Sequence, residues 1–227
     1  MRVHVAFTPT EADRVPTAVV VDVLRATSTI VQALAGGYRR VYCCAEIEDA
    51  RALHDRLPDA VLAGERRAAA IPGFALGNSP RDFVEPRAQA LVLSTTNGTR
   101  AIVAAAQTAE TVLVGSLLNL EAVAVAAREA GSDVEVVCAG VEGRFTLDDA
   151  YCAGRIADLL GGERSDGAEA AVRIARSFAS AEEGLRASEN PFHDQIGEDI
   201  AWCARESVLG AVPRLVGMDG AAAEIGL

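Results

Sequence analysis

Three carboxylates in this 227-residue chain stand where an apolar run gives way to a turn: Asp22 after "AVVV", Glu65 after "AVLAG", and Asp149 a short way beyond "VVCAG". Three arginines, Arg25, Arg100 and Arg144, sit in the same kind of place. Carboxylates so placed can hold a hard divalent cation through oxygen, or serve as base or nucleophile. Arginines grip phosphate and carboxylate through a fork of N–H donors. The combination suits a small, multiply anionic, phosphorylated substrate.

What the chain lacks narrows the chemistry. All 21 basic residues are arginine, which excludes a Schiff-base lysine, a Walker lysine and a kinase-type lysine. His4, His54 and His193 lie far apart with no H-x-H or H-E-x-x-H spacing, so no histidine-built metal site is expected. Five cysteines, odd in number and without a C-x-x-C pair, read as buried thiols rather than disulfides or a zinc site. A net charge of −11 argues against nucleic acid and anionic membranes as partners. There is no uninterrupted run of about 18 apolar residues to span a membrane. The opening "MRVHVAFTPTEADR" lacks a signal-peptide pattern, so the cytoplasm is the expected location.

The elements that must position these residues alternate between short β-rich runs and helical patterns. Strands are predicted at Val3–Phe7, Ala18–Val23, Val41–Ala45, Ala60–Ala63, Gln89–Ser94, Thr111–Gly115 and Val134–Ala139, with two more near Ala211–Val216 and Ala222–Ile225. Helices are predicted at Ser28–Leu34, Ile47–Arg56, Thr99–Gln107, Leu120–Ala130, Leu147–Leu160, Gly167–Arg186 and Glu198–Glu206. Strands such as "AVVVDV" and "ALVLS" are continuously apolar, which calls for cover on both faces. The length fits one α/β domain over residues 1–227. In such sheets ligands bind beyond the carboxyl ends of strands, and Asp22, Glu65 and Asp149 are expected to meet at one sheet edge.

Each turn also has a plainer reading. Thr27 or Ser28 can simply cap the helix after Asp22. Thr146 with Asp149 approximates a capping box. "STTNGTRA" contains both a hairpin signal and a glycosylation acceptor. The helical pattern after Gly98 nevertheless favours a strand-to-helix turn, with Asn97 or Thr96 as cap and Arg100 in the first helical turn. A cation there opposes the helix dipole by roughly 0.3–1 kcal/mol, which an anion nearby would offset. The long connection ending in Gly77-Asn78-Ser79-Pro80 is too apolar at Ile71, Phe74 and Leu76 to float free, and is expected to fold over the strand ends.

Four stretches in order, "DVLRATSTIVQAL", "AGERRAAAIPGFALGNSPRDF", "STTNGTRAI" and "CAGVEGRFTLDDAYCAGRIADLL", resemble the 2-phosphosulfolactate phosphatase (ComB) family. The resemblance implies a three-layer α/β/α fold with a mostly parallel or mixed central sheet. It also implies a Mg²⁺-dependent hydrolase that converts 2-phospho-3-sulfolactate to 3-sulfolactate, a step of coenzyme M synthesis. On that reading Asp22, Arg25 and Asp149 are catalytic, and Asp22, Glu65 and Asp149 hold Mg²⁺. Substrate contacts are assigned to Thr27, Ser28, Asn78, Ser79, Thr95, Thr96, Asn97, Gly98, Thr99, Arg100, Gly140 and Arg144. Direct attack by water and an aspartyl phosphate, Asp22 first, both remain open. "ASENPFHDQIGEDIAW" is shorter than the family's usual stretch, so one edge of the pocket is expected to differ.

The alternatives are a phosphatase of this family acting on another phosphorylated hydroxy acid, or a non-catalytic anion-binding protein on the same scaffold. A haloacid-dehalogenase-like site is disfavoured because Val23 and Leu24, not a second Asp, follow Asp22. No G-x-G-x-x-G opens a helix. Ala-rich helical sequence between Gly167 and Ala187 could pack in the core or against a second copy, so a homodimer is a further expectation.

Overall fold

The computed structural model describes residues 1–227. The apolar runs become strands: β1 (Arg2–Ala6), β2 (Thr17–Val21), β3 (Arg40–Cys44), β4 (Ala60–Arg66), β5 (Ala69–Ala70), β6 (Ala90–Ser94), β7 (Thr111–Gly115), β8 (Val134–Cys138), β9 (Glu163–Arg164), β10 (Arg214–Asp219) and β11 (Ala222–Gly226). The helices are α1 (Ala26–Ala35), α2 (Ile47–Arg56), α3 (Gly98–Ala105), α4 (Leu120–Glu129), α5 (Leu147–Leu160), α6 (Asp166–Arg176), α7 (Ala181–Arg186) and α8 (Gly197–Cys203). The helix predicted over Gly167–Arg186 is two helices. Ser180 caps the second by accepting from the Glu183 N–H, which the backbone can do only by leaving the first. β4 runs past Ala63 to Arg66, so Glu65 lies within the strand rather than after it.

One mixed sheet takes the order β5-β4-β6-β3-β11-β10-β7-β2-β8-β1-β9. β2 and β8 are buried at every residue, as continuous apolar runs covered on both faces require. Helices α4, α5 and α6 close over one face of the β1, β2, β7 and β8 region. α1 and α3 pack on the opposite face, and α2 covers the far side of β3, β4 and β6. The architecture is three-layer α/β/α.

The sheet is not a simple parallel edge. β4, β6 and β3 are parallel to one another, as are β7, β2, β8 and β1. Between them lies the antiparallel hairpin β10–β11, antiparallel to both neighbours. Along the sheet the two groups therefore run in opposite senses. Helices α1 and α3 nevertheless touch strands of both groups, and Asp22 after β2 and Glu65 of β4 line one pocket.

Candidate active site

The meeting point is a small pocket between the turns after β2, β6 and β8, the end of β4, and the segment before α8. Asp22 and Arg25 line it from the first turn, Glu65 from β4, and Thr96 and Asn97 from the turn after β6. Asn78 enters from the long connection, which folds over the strand ends as expected. Asn190, Phe192 and Ile196 close the top. The remaining space is about 30 Å³, the share of one water, so this is a closed form and a substrate needs the cover to move. A larger open groove of about 900 Å³ lies near the start of β4, around His54, Asp59 and Arg87. That is the opposite end of the strand from Glu65, and the carboxylates do not reach it.

The helix starts do hold an anion, and the anion is the protein's own. Asp22 Oδ1 accepts from the N–H of Ala26, the first residue of α1, at 3.2 Å. The N–H of Gly98, first in α3, lies close enough to this carboxylate to lower its proton affinity slightly. A Cβ on Gly98 would lie 2.5 Å from Asp22 Oδ2 and 2.5 Å from Ala26 Cβ, so glycine alone permits the approach. Burial nevertheless pushes Asp22 up to about 7, with the Glu65 and Asp148 charges adding to it.

Glu65 is likewise held. Its Oε1 accepts from Thr96 N–H at 2.8 Å, and Oε2 from Ala68 N–H at 2.8 Å and Thr96 Oγ1 at 3.1 Å. Asp149 bridges two turns, Oδ1 to Val23 N–H at 2.8 Å and Oδ2 to Gly140 N–H at 2.9 Å. Thr146 caps α5 without a side-chain bond. The capping-box explanation of Asp149 therefore gives way to a bridge between strand ends. Burial, then the Asp148 and Asp22 charges, holds the Asp149 carboxyl well above the usual range.

Several residues proposed as substrate contacts are occupied elsewhere. α1 is capped by Arg25 rather than Thr27 or Ser28. Thr27 Oγ1 donates to Asp22 O at 2.9 Å and Ser28 Oγ to Val23 O at 2.8 Å, both fully buried and away from the pocket. Thr95 and Thr99 bond each other's backbone N–H and so build the turn. Asn97 Oδ1 accepts from Glu142 N–H and ties the β6 turn to the β8 turn. Gly140 is φ +62 with Arg144 O packed where a Cβ would go. Arg144 is exposed at the tip of that turn and does not line the pocket. Arg100 finds its anion in Glu46, 2.9 Å away and also exposed. Arg25 remains the arginine of the pocket, paired with Asp199 at 2.6 Å.

The sequence reading missed four participants. Asp148, buried, takes hydrogen bonds from Ser188 Oγ (3.2 Å) and Asn190 Nδ2 (3.5 Å). Asp199 bonds Arg25 and Ser79, and Asn190 and Phe192 roof the pocket. Asp199 carried a signal: it lies at i, i+1 and i+4 with Ile200 and Cys203, an acidic residue on the buried face of a short helix.

Asn78 is 3 % exposed, and its side-chain Oδ1 has no partner. A buried carbonyl oxygen beside a pocket and without a donor is completed by a ligand N–H or O–H, a water or a cation. No three His, Cys, Asp or Glu side chains form a ready-made metal cage. Two do face the pocket, Asp22 and Glu65. Of the arginines around them, Arg25 pairs with Asp199, Arg67 with Glu142 and Arg100 with Glu46, while Arg66, next to Glu65, donates to Glu65 O, Ala45 O and Ser94 Oγ. Mg²⁺ is commonly bound by one or two carboxylates plus substrate phosphate and water, so this donor set fits it.

Known proteins resemble this chain along most of its length. Residues 5–217 match the family described as 2-phosphosulpholactate phosphatase. The chain is 42% identical over 233 residues to a Thermus thermophilus protein named "Probable 2-phosphosulfolactate phosphatase", covering 98% of each chain. It is 37% identical to the 2-phosphosulfolactate phosphatase of Methanothermobacter thermautotrophicus, over 94% of this chain and 92% of that one. A Deinococcus radiodurans relative, again named "Probable 2-phosphosulfolactate phosphatase", is 38% identical over 95% of this chain and 94% of its own. The chain belongs to the 2-phosphosulfolactate phosphatase family, whose name is that of a phosphoric monoester hydrolase.

Proposed function

From that membership we propose that the chain hydrolyses 2-phosphosulfolactate to sulfolactate and phosphate in a Mg²⁺-dependent reaction. Charge carries the reading. Asp22, Glu65, Asp148 and Asp149 are all buried around the pocket, and its one arginine already faces Asp199. A substrate bearing phosphate, carboxylate and sulfonate would meet a carboxyl-rich site whose arginine is already paired, unless a cation came with it. Asp22 and Glu65 would hold Mg²⁺. Bound there, the ion would supply Lewis-acid polarisation of a phosphoryl oxygen and offset the accumulated charge.

The chain's own groups have separable tasks. Arg25 has donors beyond the one used by Asp199 and directs them at phosphoryl oxygens. Asn78 Oδ1, unpartnered in the closed form, is an acceptor that would face the cation or its water rather than a phosphoryl oxygen. Asp22, its proton affinity raised by burial, is placed either to take a proton from attacking water or to attack phosphorus itself. Asn97 and Asn190 offer neutral donors to the carboxylate and sulfonate. Phe192 and Ile196 exclude water once the cover is down. Asp149 fixes the turns after β2 and β8 without reaching the substrate.

Phosphate release from 2-phosphosulfolactate, phospholactate, phosphoglycolate and phosphoglycerate, each with Mg²⁺ or with EDTA, tests this. The expected result is release that stops in EDTA, returns with Mg²⁺ and has its highest kcat/KM on 2-phosphosulfolactate. Release from none of the four would remove the phosphatase reading. Equal rates in EDTA would remove the metal, and a higher kcat/KM on another ester would move the substrate.

A further inference from the structure

Asp199, late in the chain, reaches Arg25 of the pocket. It is 5 % exposed, and both of its oxygens are engaged. Oδ2 takes an N–H from Arg25 at 2.6 Å, and Oδ1 takes the Ser79 hydroxyl at 2.6 Å. Arg81 Nε stands 3.7 Å from Oδ1, and its guanidinium is paired with the neighbouring Glu198. Arg25 needs such a partner. It occupies the cap of α1, where the helix dipole repels a cation, and a long arginine side chain left alone there would turn its head to solvent. Its side chain is instead 9 % exposed and lines the pocket.

We propose that Asp199 is the positioning residue of Arg25, holding the guanidinium in the orientation that receives the phosphoryl group. Through Ser79 it couples that orientation to the docking of the connection that carries Asn78. Asp199 touches neither substrate nor metal in this scheme; it acts through Arg25. The inference rests on the reading of Arg25 as the phosphate-binding cation.

A double-mutant cycle separates this from general structural support. Asp199→Asn keeps the size and removes the charge; it is made alone and with Arg25→Gln. kcat/KM and inhibition by inorganic phosphate are measured on proteins matched by circular dichroism and thermal midpoint. Asp199→Asn alone should lower kcat/KM and weaken phosphate inhibition by roughly 10- to 100-fold, as loss of a charge-assisted hydrogen bond would. In the Arg25→Gln background the same change should cost less than about twofold, because nothing remains to position. Equal losses in both backgrounds overturn the proposal, since a merely structural residue behaves so. An impaired Arg25→Gln enzyme beside an unimpaired Asp199→Asn enzyme also overturns it, with the reading of Arg25 intact. If Arg25→Gln is itself unimpaired, that reading falls and the positioning role with it. Should Asp199→Asn not fold, Ser79→Ala removes one bond and no charge, and runs the same cycle with an expected loss of about threefold alone.

Discussion

Helix α3 has a buried carboxylate at each of two places, and the two could hardly differ more in company. At its first turn Gly98 approaches Asp22. Farther along, Ala101, Ala104 and Ala105 line a separate cavity of about 80 Å³ into which Glu135 of β8 projects, beside Asp13. Burial pushes both carboxyls up to about 7. Asp22 has a helix-start N–H donor, a second carboxylate across the pocket, an arginine and an open amide oxygen. Glu135 has alanine and valine walls, an opposing N–H and charge from Asp13, and an oxygen with no partner. A raised pKa therefore marks desolvation at both places. Convergence of polar groups marks only one of them as a site.

The largest expected effect breaks the pair apart by activity. Asp22→Asn should lower phosphate release at saturating Mg²⁺ by about a thousandfold, in the range for loss of a general base. Its thermal midpoint should hold or rise, because a buried charge among carboxylates disappears. Retention of more than a tenth of the activity would show that Asp22 is not essential. Glu135→Gln should leave turnover within about twofold.

Stability should sort the same pair in the other direction. Folded Glu135 keeps its proton to about pH 7 against an ordinary value of 4.5. The folded state thus binds more protons between those limits, and its stability falls as pH rises through them. Glu135→Gln has no such term. Its stability relative to the parent should be near zero around pH 4.5 and climb to a plateau above about pH 7.5, of roughly 1–3 kcal/mol. Urea melts of both proteins from pH 5 to 8.5 check this. A pH-independent difference would mean that Glu135 is not desolvated in solution.

Sequence made the front of α3 legible and left its back obscure, for a physical reason. Asp22, Glu65 and Asn97 follow apolar runs, so strand ends and helix starts announce them. Most strands and helices lie within a few residues of their predicted bounds because their periodicity is strong. The hairpin β10–β11, lodged mid-sheet, was not legible as such, since strand order is a long-range property that short runs do not encode. Nor was the occupancy of each donor. Thr27, Ser28, Thr95 and Thr99 have the right chemistry for a ligand and use it on the backbone of their own turns. Glu135 reads as one acidic residue in "VEVVC", and only three dimensions show that no cation faces it.

The smallest expected effect concerns the third face of α3. From sequence, Arg25 and Arg100 are equivalent, each at a helix start after an apolar strand. The structure separates them by burial and partner. Arg100 is half exposed and pairs with Glu46, itself half exposed, and such pairs are worth about 0–1 kcal/mol. Removing Arg100 also removes a cation from the positive end of α3, a gain of similar size. The two terms oppose, so Arg100→Ala should change stability by less than about 0.5 kcal/mol and kcat/KM by less than about twofold. Arg25→Ala, measured beside it, should lose about a hundredfold or more in kcat/KM, since phosphoryl contacts count most in a water-excluded site. A comparable loss in Arg100→Ala would mean that the open form swings α3 so that this arginine faces the substrate, and the division of the helix into a working end and an inert flank would no longer hold.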